Sequence, residues 1–284
     1  MAEIRPMTSG EVQQLVQWAD AEGWNPGRND ADCFWQLDPD GFLALVEDNE
    51  LIGGGAIIRY SDTFGFMGLF IVRETHRGQG HGSKLWFARR DQLLSRLGPK
   101  ACIGLDGVDA MVPFYAKGGF EPFTRHRRYE LSDSSADFQQ SSQIVELTTV
   151  DFDKITAFDR DCFPAPRDHF LNAWITQPEA IALGFLDHST LRGFGVMRPC
   201  VHGWKIGPLY ADSHEIANEL FAAFQLHRHG GPIYLDVPEN NPIAIDLCGT
   251  YDMKEVFGCV RMYYGNPPEL DSLKIFGITT LEVG

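Results

Sequence analysis

Hydrophobic and polar positions repeat the same layout twice along the chain. Val12, Leu15, Val16 and Ala19 recur at helical spacing behind Thr8 and Glu11, which have the form of a capping box. Phe152, Ile155 and Phe158 recur in the same way behind Thr148 and Asp151, with Asp as the weaker partner. A stretch rich in Trp, Pro and Asp follows each helix and reads as loop. Two strand-like runs come next, 42–46 with 52–59 and 181–186 with 193–197, each pair joined by a polar turn, 47–50 or 187–190. A third strand is predicted over 64–72 or 204–210. A later strand ends on Leu105-Asp106 or Leu235-Asp236.

The repeat keeps a constant register. Shifted by 140 positions, Ile4 falls on Ile144, Thr8 on Thr148, Leu15 on Ile155, Pro26 on Pro166, Phe34 on Trp174, Gly53 on Gly193, and Leu69-Phe70 on Leu209-Tyr210. The polar, aperiodic segment 132–143 separates the copies. The expected organisation is therefore a first α+β domain over 1–131, a linker over 132–143, and a second α+β domain over 144–284. The register breaks once. Thirty-four residues separate Phe70 from Leu105, but 24 separate Tyr210 from Leu235, and the missing ten fall where the first copy has a glycine-rich loop.

Composition narrows the class. The 284 residues are 44% hydrophobic, enough to build a core and unlike a disordered chain. No apolar run approaches the length of a membrane span, and 64–72 is among the longest. Met1-Ala2-Glu3-Ile4-Arg5 lacks the basic stretch followed by apolar residues of a secretory signal, so a cytoplasmic protein is expected, away from membranes. The six cysteines are scattered without a C-x-x-C pair, so reduced thiols are expected rather than a zinc site or a disulfide framework; no metal is expected. With 24 basic against 39 acidic residues the net charge is −15, and both halves are acidic. That excludes a general nucleic-acid binder, which needs a basic surface. It suits solubility or the attraction of a cationic substrate.

The glycine-rich loop carries the candidate chemistry. It runs Val72-Arg73-Glu74-Thr75-His76-Arg77-Gly78-Gln79-Gly80-His81-Gly82-Ser83, between a predicted strand and a predicted helix. Closely spaced glycines let backbone N–H groups converge, and a helix N-terminus adds free donors and positive potential, so the loop suits a phosphate or pyrophosphate. The dinucleotide fingerprint fails because Ser83 stands where its third glycine is needed, and the P-loop fails because Gly82-Ser83-Lys84 has the wrong order. The pattern that fits is R-x-x-G-x-G, in Arg77, Gly80 and Gly82.

On this loop the chain resembles the GNAT superfamily of acyl-CoA-dependent N-acyltransferases. A second segment, Phe114-Tyr115-Ala116-Lys117-Gly118-Gly119-Phe120, resembles that family's F-Y-x-x-x-G-F. The likeness covers roughly residues 3–131. The whole chain further resembles a bacterial subgroup of tandem two-domain GNAT proteins, through segments such as Glu22-Gly23-Trp24-Asn25-Pro26-Gly27 and Lys205-Ile206-Gly207-Pro208-Leu209-Tyr210. The resemblance implies an α+β fold of two tandem GNAT-like domains, each a mixed, mostly antiparallel twisted sheet flanked by helices. It implies acetyl transfer from acetyl-CoA to a primary amine, chiefly of a small molecule, by direct attack. It places the pyrophosphate on Arg77, Gly78, Gln79, Gly80, His81, Gly82 and Ser83, and the pantetheine along Phe70, Ile71 and Val72. Tyr115 becomes the acid for the departing thiolate. Asp106 is a candidate base, although Asp236 at the same place in the second half favours a structural role. Trp24 and Asn25 suit a substrate wall. The second half has Tyr210-Ala211-Asp212-Ser213-His214-Glu215 in place of the loop and is expected to be a degenerate copy without an acyl-CoA site. Arg198, Lys205 and Arg261 stand in otherwise apolar strands, either as paired structural ions or as contacts to an anion. An acyl-CoA-binding sensor without turnover stays as the alternative function, and a homodimer is left open.

Overall fold

The computed structural model describes residues 2–132 and 141–284; most of the expected linker, 132–143, lies outside the described residues. The chain runs β1 (Glu3–Pro6), α1 (Ser9–Ala21), α2 (Asp30–Leu37), β2 (Phe42–Glu47), β3 (Glu50–Arg59), β4 (Phe64–Val72), α3 (His81–Arg96), β5 (Cys102–Val108), α4 (Val112–Ala116) and β6 (Glu121–Leu131). It continues β7 (Ile144–Glu146), α5 (Phe152–Cys162), α6 (Asp168–Thr176), β8 (Ile181–Asp187), β9 (Thr190–Pro199), β10 (Trp204–Ala211), α7 (His214–His227), β11 (Ile233–Pro238), α8 (Pro242–Thr250), β12 (Lys254–Tyr264) and β13 (Ile275–Gly277). The Trp/Pro/Asp-rich stretches read as loop contain α2 and α6. In each, spaced apolar residues bury one face, Cys33 and Phe34 in α2, Phe170, Leu171 and Trp174 in α6.

These elements form two compact units. The first comprises Met1–Phe123, Arg261–Pro267 and Leu281–Gly284; the second comprises Thr124–Val260 and Pro268–Thr280. A contiguous cut at residue 131 therefore does not describe them. In the first unit β1, β2, β3 and β4 pair antiparallel, β4 and β5 pair parallel, and residues 261–264 at the end of β12 lie beside β5. In the second, β7, β8, β9 and β10 pair antiparallel, β10 and β11 pair parallel, and β6 closes against β11 from Ile233↔Leu131 to Pro238↔His126. Each unit completes its sheet with a strand from the other half of the sequence. Backbone pairing is indifferent to chain order, which is why a linear cut misses it.

Local signals set the helix starts. Thr8 caps α1, its hydroxyl accepting from Glu11 N–H at 3.3 Å while Glu11 Oε2 accepts from Thr8 N–H at 2.8 Å. Arg5 donates to both Glu11 oxygens, at 2.9 and 2.7 Å. In the second copy the cap shifts. Leu147–Thr149 forms a 3-10 turn and Asp151 is itself the N-cap of α5, accepting from Asp153 N–H, where the capping-box reading expects it three positions past an N-cap at Thr148. The Arg5 hydrogen bonds hold the Glu11 carboxyl down at about 2, with Thr8 assisting. A lowered carboxyl pKa stabilises the fold above its ordinary value of 4.5, and that contribution disappears as pH falls towards 2. Glu11→Gln is expected to lower stability at pH 7 and to flatten the loss between those pH values, read by denaturant unfolding across pH. Parallel curves for both proteins would sink this account.

Candidate functional site

The site of the first unit begins where two strands part. β4 and β5 pair from Phe64↔Cys102 to Met67↔Leu105 and no further, although β4 continues to Val72 and β5 to Val108. The parting coincides with a bulge. Ala56 of β3 faces Gly68 and Gly54 faces Ile71, so two β4 residues, Leu69 and Phe70, stand opposite Gly55. Leu69 takes φ 49°, a left-handed value uncommon for such a side chain. The slot beyond this parting point is flanked by Phe70, Ile71 and Val72, the three strand residues named for pantetheine, and the backbone of Glu282 lies against Gly68 at its start.

The loop beyond β4 turns its backbone outwards. Gly78 and Gly80 have φ 75° and 85°, and a Cβ at either would meet nothing within 4 Å, so the backbone faces open space. Gly80 is the N-cap of α3, no side chain caps it, and the first turn, with His81, Gly82 and Ser83, has no acid. The first N–H groups of α3 are thus directed outwards with the helix's positive end behind them. Gln79 is turned back, donating its side-chain amide to Thr75 O at 3.2 Å. His81 lies 3.6 Å from Glu47. Arg77 differs from the expectation. Its Nε donates to Val72 O at 2.8 Å and its Nη2 pairs with Glu22. These contacts fold the loop onto the end of β4 and tie it to the residue after α1, so Arg77 shapes the cradle from within. Trp24 and Asn25 follow Glu22 closely in the chain. Asn25 is buried with φ 51°, a conformation Asn tolerates, and Trp24 is half-buried.

An aromatic cluster packs beside this part of β4. Phe70 of β4 stacks on Phe114 at 6.4 Å between centroids, Trp86 of α3 lies 5.9 Å from Phe70, and Tyr115 of α4 lies 4.7 Å from Trp86. Gly107 of β5 has no Cβ, and one there would overlap the Tyr115 ring, so the phenol lies directly over β5 past the parting point. Phe70, named for the pantetheine, and Tyr115, named for the thiolate, are linked through the rings of Trp86 and Phe114.

Asp106 is placed otherwise. Its two oxygens accept from Arg261 Nε at 2.9 Å and Nη2 at 2.6 Å, and its side chain is fully buried. The pair holds the Arg261 guanidinium well above its ordinary range, against the desolvation that opposes it. A carboxylate clamped in this way is a poor proton acceptor. The second unit repeats the clamp: Arg128 of β6 grips Asp236 at 2.7 and 2.8 Å, both buried. The base assignment for Asp106 is therefore corrected to a structural ion pair that fixes an exchanged strand.

The sequence reading missed Arg89. It falls on the buried stripe of α3 with Leu85, Trp86 and Leu93, and a charge on that stripe was the available signal. Its side chain is fully buried, and Nη2 donates to Ala56 O and Gly68 O, both at 2.6 Å.

The second unit keeps the strand arrangement but fills its slot. β10 and β11 pair only from Trp204↔Ile233 to Ile206↔Leu235, and β10 shifts register between Ile206 and Leu209. Beyond that point β13 pairs with β10 at Leu209↔Gly277 and Tyr210↔Ile275, and Ile278 N–H donates to Asp236 O at 2.9 Å on the β11 side. The chain's own segment occupies the space. At the start of α7, Ser213 caps the helix and Asp212 sits with Arg192 at 2.9 Å and Lys274 at 3.3 Å, so the N-terminal donors have a cap instead of a cradle.

Sequence profiles of two GNAT acetyltransferase descriptions match the chain, one named as the family over residues 10–120 and one named as the domain over residues 155–277. The chain belongs to the GNAT superfamily. It carries two GNAT domains in tandem and is an acyl-CoA-dependent acyltransferase. The holothin acyltransferase of Pseudoalteromonas sp. (strain SANK 73390) is 28% identical over 284 residues, covering 99% of this GNAT chain and 94% of that protein. A candidate acetyltransferase structure from Pyrococcus horikoshii superposes with a TM-score of 0.84 at 26% identity, over 100% of this chain and 96% of that one. A tandem GNAT protein from the clavulanic acid biosynthesis pathway shares the fold, with a TM-score of 0.67 at 12% identity over 95% and 100% of the two chains. No helix among the described residues of this GNAT protein is long and apolar enough to cross a membrane. Its six cysteines are buried free thiols, and no cluster among the described residues could hold a metal.

Proposed function

We propose that this GNAT protein moves an acetyl group from acetyl-CoA to a primary amine of a small molecule, and that only its first unit does so. The parting of β4 from β5 past Met67↔Leu105, followed by a glycine loop and an α3 N-terminus that no side chain caps, carries the reading. The backbone N–H groups of 78–83 receive the pyrophosphate. Main-chain groups of Phe70, Ile71 and Val72 pair with the pantetheine amides. The fit rests on the space above Gly78 and Gly80, which any Cβ would enter. Trp24 and Asn25 wall the acceptor. The amine must arrive neutral to attack; its nitrogen bonds to the acyl carbon as the carbon–sulfur bond breaks, Tyr115 delivers its hydroxyl proton to the departing sulfur, and the proton that the new amide nitrogen sheds returns through water to the Tyr115 phenolate. The chain's negative charge suits a cationic acceptor in solution. The relative named for holothin acylation supports a small molecule over a protein tail.

Calorimetric titration tests the reading. One acetyl-CoA is expected per chain, because β13 fills the second slot, and amines that accept the acetyl group are expected to release free thiol in proportion to product. Two sites per chain would overturn the assignment of the second unit. Binding without thiol release from any amine panel would overturn acetyl-CoA as donor or amines as acceptors.

A further inference from the structure

Arg89 is costly where it stands. Burial in α3 takes its guanidinium wholly out of water, and its acceptors are two main-chain carbonyls, Ala56 O and Gly68 O. Nε and Nη1 are buried without hydrogen-bond partners. Burial draws its pKa down to about 9, with Tyr115 acting in the opposite sense. A group of this kind lowers stability unless it performs a task that an apolar side chain would not.

Its surroundings name the task. A Cβ at Gly55 would overlap the guanidinium, so the residue opposite the bulge is the one that gives Arg89 its seat. Nη2 bridges Ala56 O on β3 and Gly68 O on β4, at the step where the ladder changes register. Gly68 is also the first β4 residue past the last β4–β5 pair. The guanidinium further lies 5.1 Å from the centroid of Phe70, the second residue of the bulge. One side chain thus holds the carbonyl before the bulge, the carbonyl across from it, and a ring within it.

We propose that Arg89 is a positioning residue, a pin that holds β4 in the bulged course that parts it from β5 and shapes the acyl-CoA slot. This rests on the slot being the donor site, as set out above. Without the pin, β4 fluctuates between its bulged course and a straighter one in which the slot narrows. The effect falls on the donor and not on the amine.

The test compares full-length wild type with Arg89→Met, which keeps the stem's volume, and Arg89→Lys, which can donate to the same carbonyls. Acetyl-CoA affinity is measured by calorimetry well below each variant's melting temperature, and hydrogen exchange is followed over 64–72 without any ligand. Arg89→Met is expected to remain folded, to bind acetyl-CoA at least tenfold more weakly, and to exchange its 68–71 amides at least tenfold faster; Arg89→Lys is expected to recover part of both. In steady state KM for the donor rises while KM for the amine holds. A residue of general structural importance would lower the melting temperature and leave affinity and local exchange of the folded protein unmoved, and that result overturns the proposal. Should Arg89→Met not fold, Gly55→Ala displaces the guanidinium from its seat with the charge retained. It is expected to weaken binding in the same direction, and unchanged affinity there also overturns the pin. If wild type itself binds no acetyl-CoA, the donor-site reading fails, while the exchange of 68–71 still decides whether Arg89 holds the bulge.

Discussion

Gly80→Glu is expected to weaken acetyl-CoA binding at least 100-fold while the protein stays folded. Two effects act in the same direction. Gly80 has φ 85°, where an L side chain costs about 1–2 kcal/mol, so the loop relaxes out of its cradle shape. The new side chain also enters the open space over the α3 N-terminus and brings a carboxylate against the pyrophosphate. Gly80→Ala separates the two, since it keeps the strain and omits the charge; its loss should be intermediate. Calorimetry on all three proteins, with thermal melts as the folding control, gives the answer. Equal affinities would mean that the pyrophosphate lies elsewhere.

Tyr115→Phe is expected to reduce turnover by about 10²- to 10⁴-fold, the range of general acid catalysis, with acetyl-CoA affinity within about threefold of wild type. The ring supports Trp86 and covers Gly107, and phenylalanine keeps both contacts. Only the hydroxyl is lost. The effect should therefore fall on kcat and kcat/KM equally, as for an interaction made as the bond breaks. Unchanged kcat would show that the sulfur departs without help from this residue.

Much of this architecture was legible because it depends on local pattern. The alternation and turns of β2, β3 and β4 located those strands within a few residues, and Phe64–Val72 was found whole. The glycine loop was legible because positive-φ glycines before a helix have few other uses. What escaped was non-local. Asp106 ends a strand in the sequence, but its arginine lies 155 residues away, and no spacing rule connects them. Arg77 matched the anion-binding pattern, yet its donors go to Val72 and Glu22 because loop closure brings those acceptors nearer. β13 was invisible as a plug because three residues carry no period. Arg89 was readable in principle, as a charge on the apolar stripe of α3, but only the bulge opposite gives that charge a reason.

The exchanged strands also govern how the protein is made. A ribosome delivers β5 long before residues 261–264, which must lie beside it and supply Arg261 to Asp106. At roughly 5–20 residues per second, the nascent first unit waits on the order of ten seconds with the edge of β5 unpaired and a buried-site carboxylate uncompensated. An unpaired edge is a template for wrong partners. Newly synthesised chains should therefore depend on ribosome-associated chaperones more than a single-domain protein of similar core would. Messenger truncated within β12 should yield aggregate instead of an active first domain.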